Sequence, residues 1–260
     1  MAAAPSTLAE LGPRLRAVAE FVLPGQPMAD LCCDHAYLAT ALVASGRVPR
    51  AIAGDLNAGP LAQAREGVAA AGLEGRVDLR LGDGAQVLTP GGVDGVATVT
   101  LAGIGAGLAG RLVAEGGRGG HLEGVARLVV QANDVFPRLG QLRVELASLG
   151  WQIVDERLAL EARRIYVTLA CAPLEAGTRR VYSERERDLG PVLGRGHDPL
   201  YGEWLTRERE RVTRALAGMA RSQGQGQSPA RAPFEAWLAR LDDELSRQPG
   251  RGSPSPGAGE

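Results

Sequence analysis

The chain contains no lysine: all 29 basic residues are arginine. Every contact to an anion must therefore use a guanidinium, which is planar, permanently charged and able to grip two oxygens at once. Cysteine is scarce, with three in 260 residues. Two of them, Cys32 and Cys33, are adjacent, and Cys171 is distant. That pattern excludes a disulfide framework and fits a reducing compartment. Adjacent cysteines also lack the usual ligand spacing of a metal site, so no metal is expected from Cys32, Cys33 and His35. No run of about eighteen apolar residues exists, so no membrane span is expected. Residues 1–10 have neither a positive start nor an apolar centre. No secretory leader is expected there, and the cytoplasm is the expected location.

What is present describes a folded chain with two characters. Apolar residues make up 45%, enough for a core, and the length suits one full domain plus an appendage. The net charge of −1 excludes a polycation that coats nucleic acid along its whole surface. Charge is unevenly spread: residues 1–175 hold 15 Arg against 18 acids, and residues 176–260 hold 14 Arg against 12. Leu8, Leu11, Leu15, Val18, Ala19 and Val22 recur at helical spacing, and Pro24-Gly25 stops that pattern. Strands are then predicted at 28–32, 51–55, 77–81, 96–101, 127–131, 151–155 and 164–170, with helices at 36–45, 58–71, 105–115 and 134–148. This alternation argues a parallel sheet covered on both faces. The last two strands have no helix between them and form an antiparallel edge hairpin. Seven strands with that ending describe the Rossmann-like sheet of class I methyltransferases.

The division expected from the sequence is a sheet domain over 1–173, a helical domain over 174–247 and a disordered tail over 248–260. In the second part Leu205, Val212, Leu216 and Met219 keep near-heptad spacing. Residues 224–229 interrupt them, and Phe234, Trp237, Leu238, Leu241 and Leu245 mark another amphipathic helix. Two such helices form a coiled-coil-like hairpin. The tail is rich in Gly, Ser and Pro.

Polar residues gather at the predicted strand ends, where an open α/β sheet binds ligands. Asp30 ends the first strand and suits a ligand ammonium, or caps the next helix. Asp34, His35 and Tyr37 follow within one turn; they can face a reacting group, or Asp34 can be an N-cap. Asp55 ends the second strand, placed for two ribose hydroxyls. Gly82-Asp83-Gly84 lets the backbone approach a planar ring and Asp83 accept from an amine, or is an ordinary turn. Leu101-Ala-Gly-Ile-Gly105 opens a helix with glycines that bring backbone groups to a ligand. Gln131-Ala-Asn133 offers amides to a base edge or a carboxylate, and Asn133 is equally suited to cap a helix at 134.

These segments resemble the bacterial tRNA (adenine(22)-N(1))-methyltransferase family. The likeness rests on Leu11-Gly-Pro-Arg-Leu15, residues 30–38, residues 51–59, Leu81-Gly-Asp-Gly84, Ala102-Gly-Ile-Gly105, residues 131–133, Gly150-Trp-Gln-Ile153, Arg164-Ile-Tyr-Val167, Leu189-Gly-Pro-Val-Leu193 and Pro199-Leu-Tyr201. The chain departs from the family pattern in four places. Cys32-Cys33 stands for a small pair, typically Gly-Ser, and Asp55 for Glu. Ile104-Gly-Ala106 stands for Met-Gly-Gly, and Gln131-Ala-Asn133 for Gln-Pro-Asn.

The resemblance implies N1-methylation of a tRNA adenine with S-adenosyl-L-methionine as cofactor and tRNA as partner, with no membrane or metal and a monomer as the simplest state. It implies cofactor contacts at Asp30, Cys32, Asp55, Leu56, Gly82, Asp83, Gly84, Ala102 and Gly103. Substrate contacts fall at Gly105, Gln131 and Asn133. Asp34 is the expected proton acceptor, with His35 and Tyr37 positioning the base or cofactor. Two alternatives stay open: the same fold acting on another RNA, DNA or small molecule, and a non-catalytic RNA- or protein-binding module whose cofactor pocket has decayed.

Overall fold

A computed structural model describes residues 7–134, 136–222 and 231–248. The expected tail, beyond residue 248, and the expected break at 224–229 lie outside the described residues. Seven strands, β1 (Met28–Leu31), β2 (Ala51–Asp55), β3 (Val77–Leu81), β4 (Thr98–Ile104), β5 (Arg127–Ala132), β6 (Trp151–Glu161) and β7 (Arg164–Pro173), form one sheet. Their spatial order is β3-β2-β1-β4-β5-β7-β6. The first five run parallel, and β7 is antiparallel to both β5 and β6. This is the α/β sheet with an edge hairpin expected from the alternation of strand and helix.

The helices of the sheet unit are α1 (Pro13–Phe21), α2 (Tyr37–Ala44), α3 (Ala58–Ala70), α4 (Ala106–Arg118), α5 (Arg138–Ser148) and α6 (Glu184–Leu189). α2 is apolar on nearly every side, and six of its eight residues are buried, as such a helix must be to leave water. β1 is buried along its whole length because parallel strands are covered on both faces.

The expected elements shift in several places. The apolar periodicity that starts at Leu8 is not one helix. A short 3-10 turn at Leu8–Glu10 gives way to extended Leu11 and Gly12, and α1 starts at Pro13. Pro13 suits a first helical position, and a Cβ on Gly12 would collide with the Glu161 carboxylate. α5 begins at Arg138 rather than at residue 134, because Pro137 occupies its N-cap. β6 and β7 run well past the predicted ends, as an antiparallel pair that extends from Trp151↔Pro173 to Glu161↔Arg164 with one register shift between Ile153 and Asp155. α6 was not expected, although its sequence carries a full capping box: Ser183 Oγ accepts from Glu186 N–H, and Glu186 Oε2 accepts from Ser183 N–H at 2.9 Å. That Ser-x-x-Glu pattern was legible.

The chain divides into two compact units, Met1–Gly194 and Arg195–Glu260. In the first, a fully buried ion pair joins α5 to β6: Arg143 Nε donates to Glu156 Oε1 at 2.9 Å. Arg143 Nη1 also donates to the Arg187 and Asp188 carbonyls. Glu156 Oε2 accepts from the backbone of Val192 and Leu193. The pair thereby holds α6 and the segment after it on the sheet unit. In the second unit, α7 (Tyr201–Ser222) packs against α8 (Ala232–Ser246). Tyr201 Oη at the start of α7 donates to Glu244 near the end of α8, so the two helices run antiparallel. No helix among the described residues is long and apolar enough to cross a membrane.

Breaking one side of the buried pair leaves a charge without its partner. Arg143→Met is expected to cost about 3–5 kcal/mol of stability, read from the urea midpoint. A loss below about 1 kcal/mol would show that water reaches Glu156.

Candidate functional site

β1 pairs with β2 on one side and β4 on the other, so the strand order reverses at β1. The carboxyl ends of β1 and β4 diverge there into separate loops, which opens a crevice at such a switch point. A cleft of about 320 Å³ occupies this place. Its lining includes Asp30, Cys32, Cys33, Asp34, His35 and Tyr37 from the β1–α2 segment, Ala102 and Gly103 from β4, and Arg14 from α1.

The loop after β1 takes an unusual path. Cys32 (φ 58°), Asp34 (φ 52°) and Ala36 (φ 54°) all adopt left-handed backbone, which costs a residue with a Cβ about 1–2 kcal/mol. The path turns Asp34, His35 and Tyr37 together at the cleft. Asp34 is two-thirds exposed, and its Oδ2 lies 3.4 Å from His35 Nε2. The rings of His35 and Tyr37 are 5.4 Å apart. Ala36, not Asp34, is the N-cap of α2, so the capping alternative for Asp34 does not hold. Burial pushes the Cys32 thiol up to about 11 and Cys33 higher still, reinforced by Asp30 and Asp55. Both shifts favour the neutral thiol, the poorer nucleophile.

Asp30 is 4% exposed. Burial pushes its carboxyl up to about 7, against the opposing pull of a hydrogen bond from Thr100 and the charge of Arg14. Thr100 is its register partner on β4 and donates to Oδ1 at 2.7 Å. Asp30 therefore caps no helix; it sits on the sheet floor facing the cleft.

The wall opposite is built around Gly103. This residue bulges from the β4–β5 ladder with φ 79°, a conformation that favours glycine, and a Cβ there would lie 3.2 Å from Arg14 Nη1. Gln131 is fully buried. Its Oε1 accepts from Gly103 N–H at 3.0 Å and Arg14 Nη1 at 2.7 Å. Its Nε2 donates to the Ala132 carbonyl and to Asn133 Oδ1. Asn133 Nδ2 in turn donates to the Gly103 carbonyl at 2.6 Å. Both amides thus serve the turn itself, and Asn133 caps no helix. Gly105 is the N-cap of α4, whose first N–H is taken by the Asp134 carboxylate.

The remaining candidates lie beside the cleft rather than in its lining. Asp55 is 8% exposed; its Oδ2 accepts from Asp34 N–H at 3.0 Å and its Oδ1 from Asn57. Leu56, next to it, is 63% exposed. Asp83 pairs with Arg111 at 3.3 Å. Gly82 and Gly84 leave room for protein atoms: a Cβ would meet Val87 at 2.9 Å and Leu112 at 2.5 Å. Among the described residues, no group of three or more His, Cys, Asp or Glu could hold a metal ion.

A family model described as a methyltransferase domain matches residues 11–169. The tRNA (adenine(22)-N(1))-methyltransferase of Bacillus subtilis (strain 168) is 34% identical over 186 residues, 71% of this chain and 74% of that protein. The chain belongs to the tRNA (adenine(22)-N(1))-methyltransferase family. Among solved structures, Sp1610 of Streptococcus pneumoniae in complex with S-adenosyl-L-methionine aligns with TM-score 0.78 and 30% identity, covering 90% of this chain and 99% of that one. An uncharacterised protein of Listeria monocytogenes serotype 4b aligns with TM-score 0.81 and 26% identity, covering 91% and 100%.

The structure gives the cysteine pair a physical meaning. Cys32 holds a left-handed position that glycine would take freely. Four residues in or beside this cleft escaped sequence reasoning: Arg14 in its lining, and Thr100, Arg111 and Asp134, which bond to Asp30, Asp83 and the start of α4. Arg14 lies in a matched stretch but 117 positions from Gln131. Thr100, Arg111 and Asp134 find their partners only across strand or loop neighbours. The one available signal was Thr100, at the same depth on its strand as Asp30.

Two stability changes follow. Cys32→Gly is expected to raise the melting temperature, by about 1 kcal/mol in free energy; a fall would mean that packing of the thiol outweighs its backbone strain. Asp30 titrates higher in the folded chain than in the unfolded one, so its burial is without cost at low pH and destabilises as pH rises from about 4 through about 7. Asp30→Asn removes the charge. Its stability gain should be near zero at pH 4 and on the order of 4 kcal/mol at pH 8, read by unfolding at both pH values. An equal gain at both would exclude titration as the cause.

Proposed function

We propose that this protein transfers a methyl group from S-adenosyl-L-methionine to N1 of an adenine in tRNA, position 22 by its family. The observation that carries the reading is one cleft at the sheet's switch point, lined both by buried Asp30 and by Asp34, His35 and Tyr37. A cofactor end bearing a charged amine and a base to be modified therefore meet in the same space.

The residues present fit the cofactor. Asp30 is a buried acid suited to an ammonium, which would favour its charged form. Asp55 keeps acceptor capacity on Oδ2 for a ribose hydroxyl, since each carboxylate oxygen has two acceptor sites. Leu56 offers an exposed apolar surface for a ring. Gly82, Asp83 and Gly84 border that ring; Asp83 accepts from its amine with lone pairs that Arg111 does not use. Cys32, Ala102 and Gly103 wall the middle. When bound, S-adenosyl-L-methionine supplies a methyl group on an electrophilic sulfonium.

The protein's part is alignment more than base strength, because neutral adenine N1 already carries an in-plane lone pair. His35 and Tyr37 position the base. Asp34, exposed at the cleft, accepts the proton released from the exocyclic amine as the ring becomes cationic. Gln131 and Asn133 act through Gly103, whose turn they hold, and Gly105 brings the start of α4 to the substrate side. The adenine must leave its stack to enter. The second unit holds the tRNA body by phosphate contacts, with Arg207, Arg211, Arg214 and Arg221 spaced along α7. A tRNA substrate supports a cytoplasmic location.

Incubation with bulk tRNA and labelled cofactor, followed by nucleoside analysis, should yield 1-methyladenosine; its absence would sink the reading. Asp34→Ala should lower turnover at least about 100-fold while cofactor affinity by calorimetry stays within about threefold. An unchanged rate would remove Asp34 from its role.

A further inference from the structure

A second cavity, of about 480 Å³, lies at the opposite end of the sheet from the cleft. Ala51 and Val77 are the first residues of β2 and β3 and are register partners. They line the cavity together with Val68 and Leu79, so its floor is apolar. Val77 and Leu79 stand two apart on β3 and share one face of the sheet. α3 packs on β3 and contributes Val68.

Three arginines surround that floor: Arg50 just before β2, Arg65 on α3 and Arg76 just before β3. Among the described residues, the side chains of Arg65 and Arg76 have no hydrogen-bond or ion-pair partner. Arg50 donates one N–H to the Asp94 carbonyl and keeps the other donors of its fork. Two acids share the lining, Glu74 and Asp78, but Arg80 pairs with Asp78 at 2.7 Å. Three guanidinium groups therefore stand against the single carboxylate of Glu74. Like charges gathered at one hollow repel, and an anion relieves them. The excess of about two positive charges matches a phosphate monoester, which carries about −1.5 to −2 at pH 7.

We propose that this cavity is a second ligand site, separate from the cleft, for a phosphate monoester that carries a planar body, a nucleoside monophosphate. The guanidinium forks hold the phosphate by paired N–H···O bonds, and the ring lies over Val68, Val77 and Leu79. The volume argues for the body, since pockets of about 300–1,000 Å³ suit whole small molecules and exceed what a bare phosphate fills. The concavity argues against an RNA backbone, which is gripped along an extended basic stripe. The inference does not depend on what the cleft binds.

The test is calorimetric titration of the full chain with adenosine 5′-monophosphate, with S-adenosyl-L-homocysteine in excess to occupy the cleft. The monophosphate should bind, and adenosine and inorganic phosphate should each bind at least about 10-fold more weakly. Arg65→Gln and Arg76→Gln should each weaken the monophosphate about 10-fold, the loss of a charge-assisted bond. These variants locate the binding whether or not the cleft is filled. Both side chains are exposed, and an unchanged melting temperature reports that the variants are folded. No binding of the monophosphate to the wild-type chain would overturn the site, and so would equal binding by the variants. Inorganic phosphate that binds as tightly as the monophosphate would overturn the assignment of a planar body. Variants that lose affinity for tRNA, in a chain that binds no monophosphate, would make the three arginines an RNA surface and overturn the proposal.

Discussion

Parallel pairing of β1 on both its sides is the constraint on which the rest depends. Met28 to Leu31 are hydrogen-bonded to β2 on one edge and β4 on the other, so neither edge is left for solvent and all four residues are buried. The chain must leave the top of β1 in one direction and the top of β4 in the other. A gap opens between the two exits. Asp30 stands at its floor because it is the third residue of a four-residue strand, and Thr100 answers it because the register places the two side by side.

Around that floor the polar groups fall into two kinds. Gln131, Asn133 and Asp134 bind backbone atoms and fix the shape of the β4–α4 turn. Asp30, Asp34, His35 and Arg14 keep capacity for something else. Amides are neutral and can be buried once all their bonds are made, so they suit the frame. Charged groups are costly to bury without partners and persist beside a cleft where a ligand completes them. The three left-handed residues of the loop at Cys32, Asp34 and Ala36 follow the same logic: the strain holds the side chains of Asp34, His35 and Tyr37 at the opening.

Much of this was legible in the sequence. The strands, their alternation with helices and the terminal hairpin were readable from periodicity, since period two and period 3.6 are local properties. Asp30, Asp34, His35 and Tyr37 were readable because they stand at a strand end or directly after it. Where local signals compete, reading failed. The pattern from Leu8 has helical spacing but is cut by Gly12-Pro13, and the pattern before Pro137 resembles a helix that begins only after it. Asn133 and Asp34 are both good caps by type, yet Asn133 bonds back to the Gly103 carbonyl and Asp34 lies beside the adjacent His35.

The sequence by itself determined the class of sheet, the order of its elements and the family, because these depend on apolar periodicity and on short motifs whose residues are neighbours. Only the tertiary structure decided which polar residues share a cleft. Gln131 holds the Gly103 turn and Arg14, Asp83 pairs with Arg111, and Arg14 comes from a helix before the sheet. The physical reason is that a hydrogen bond or an ion pair depends on distance in space, and parallel crossovers bring together residues that lie 70 to 117 positions apart.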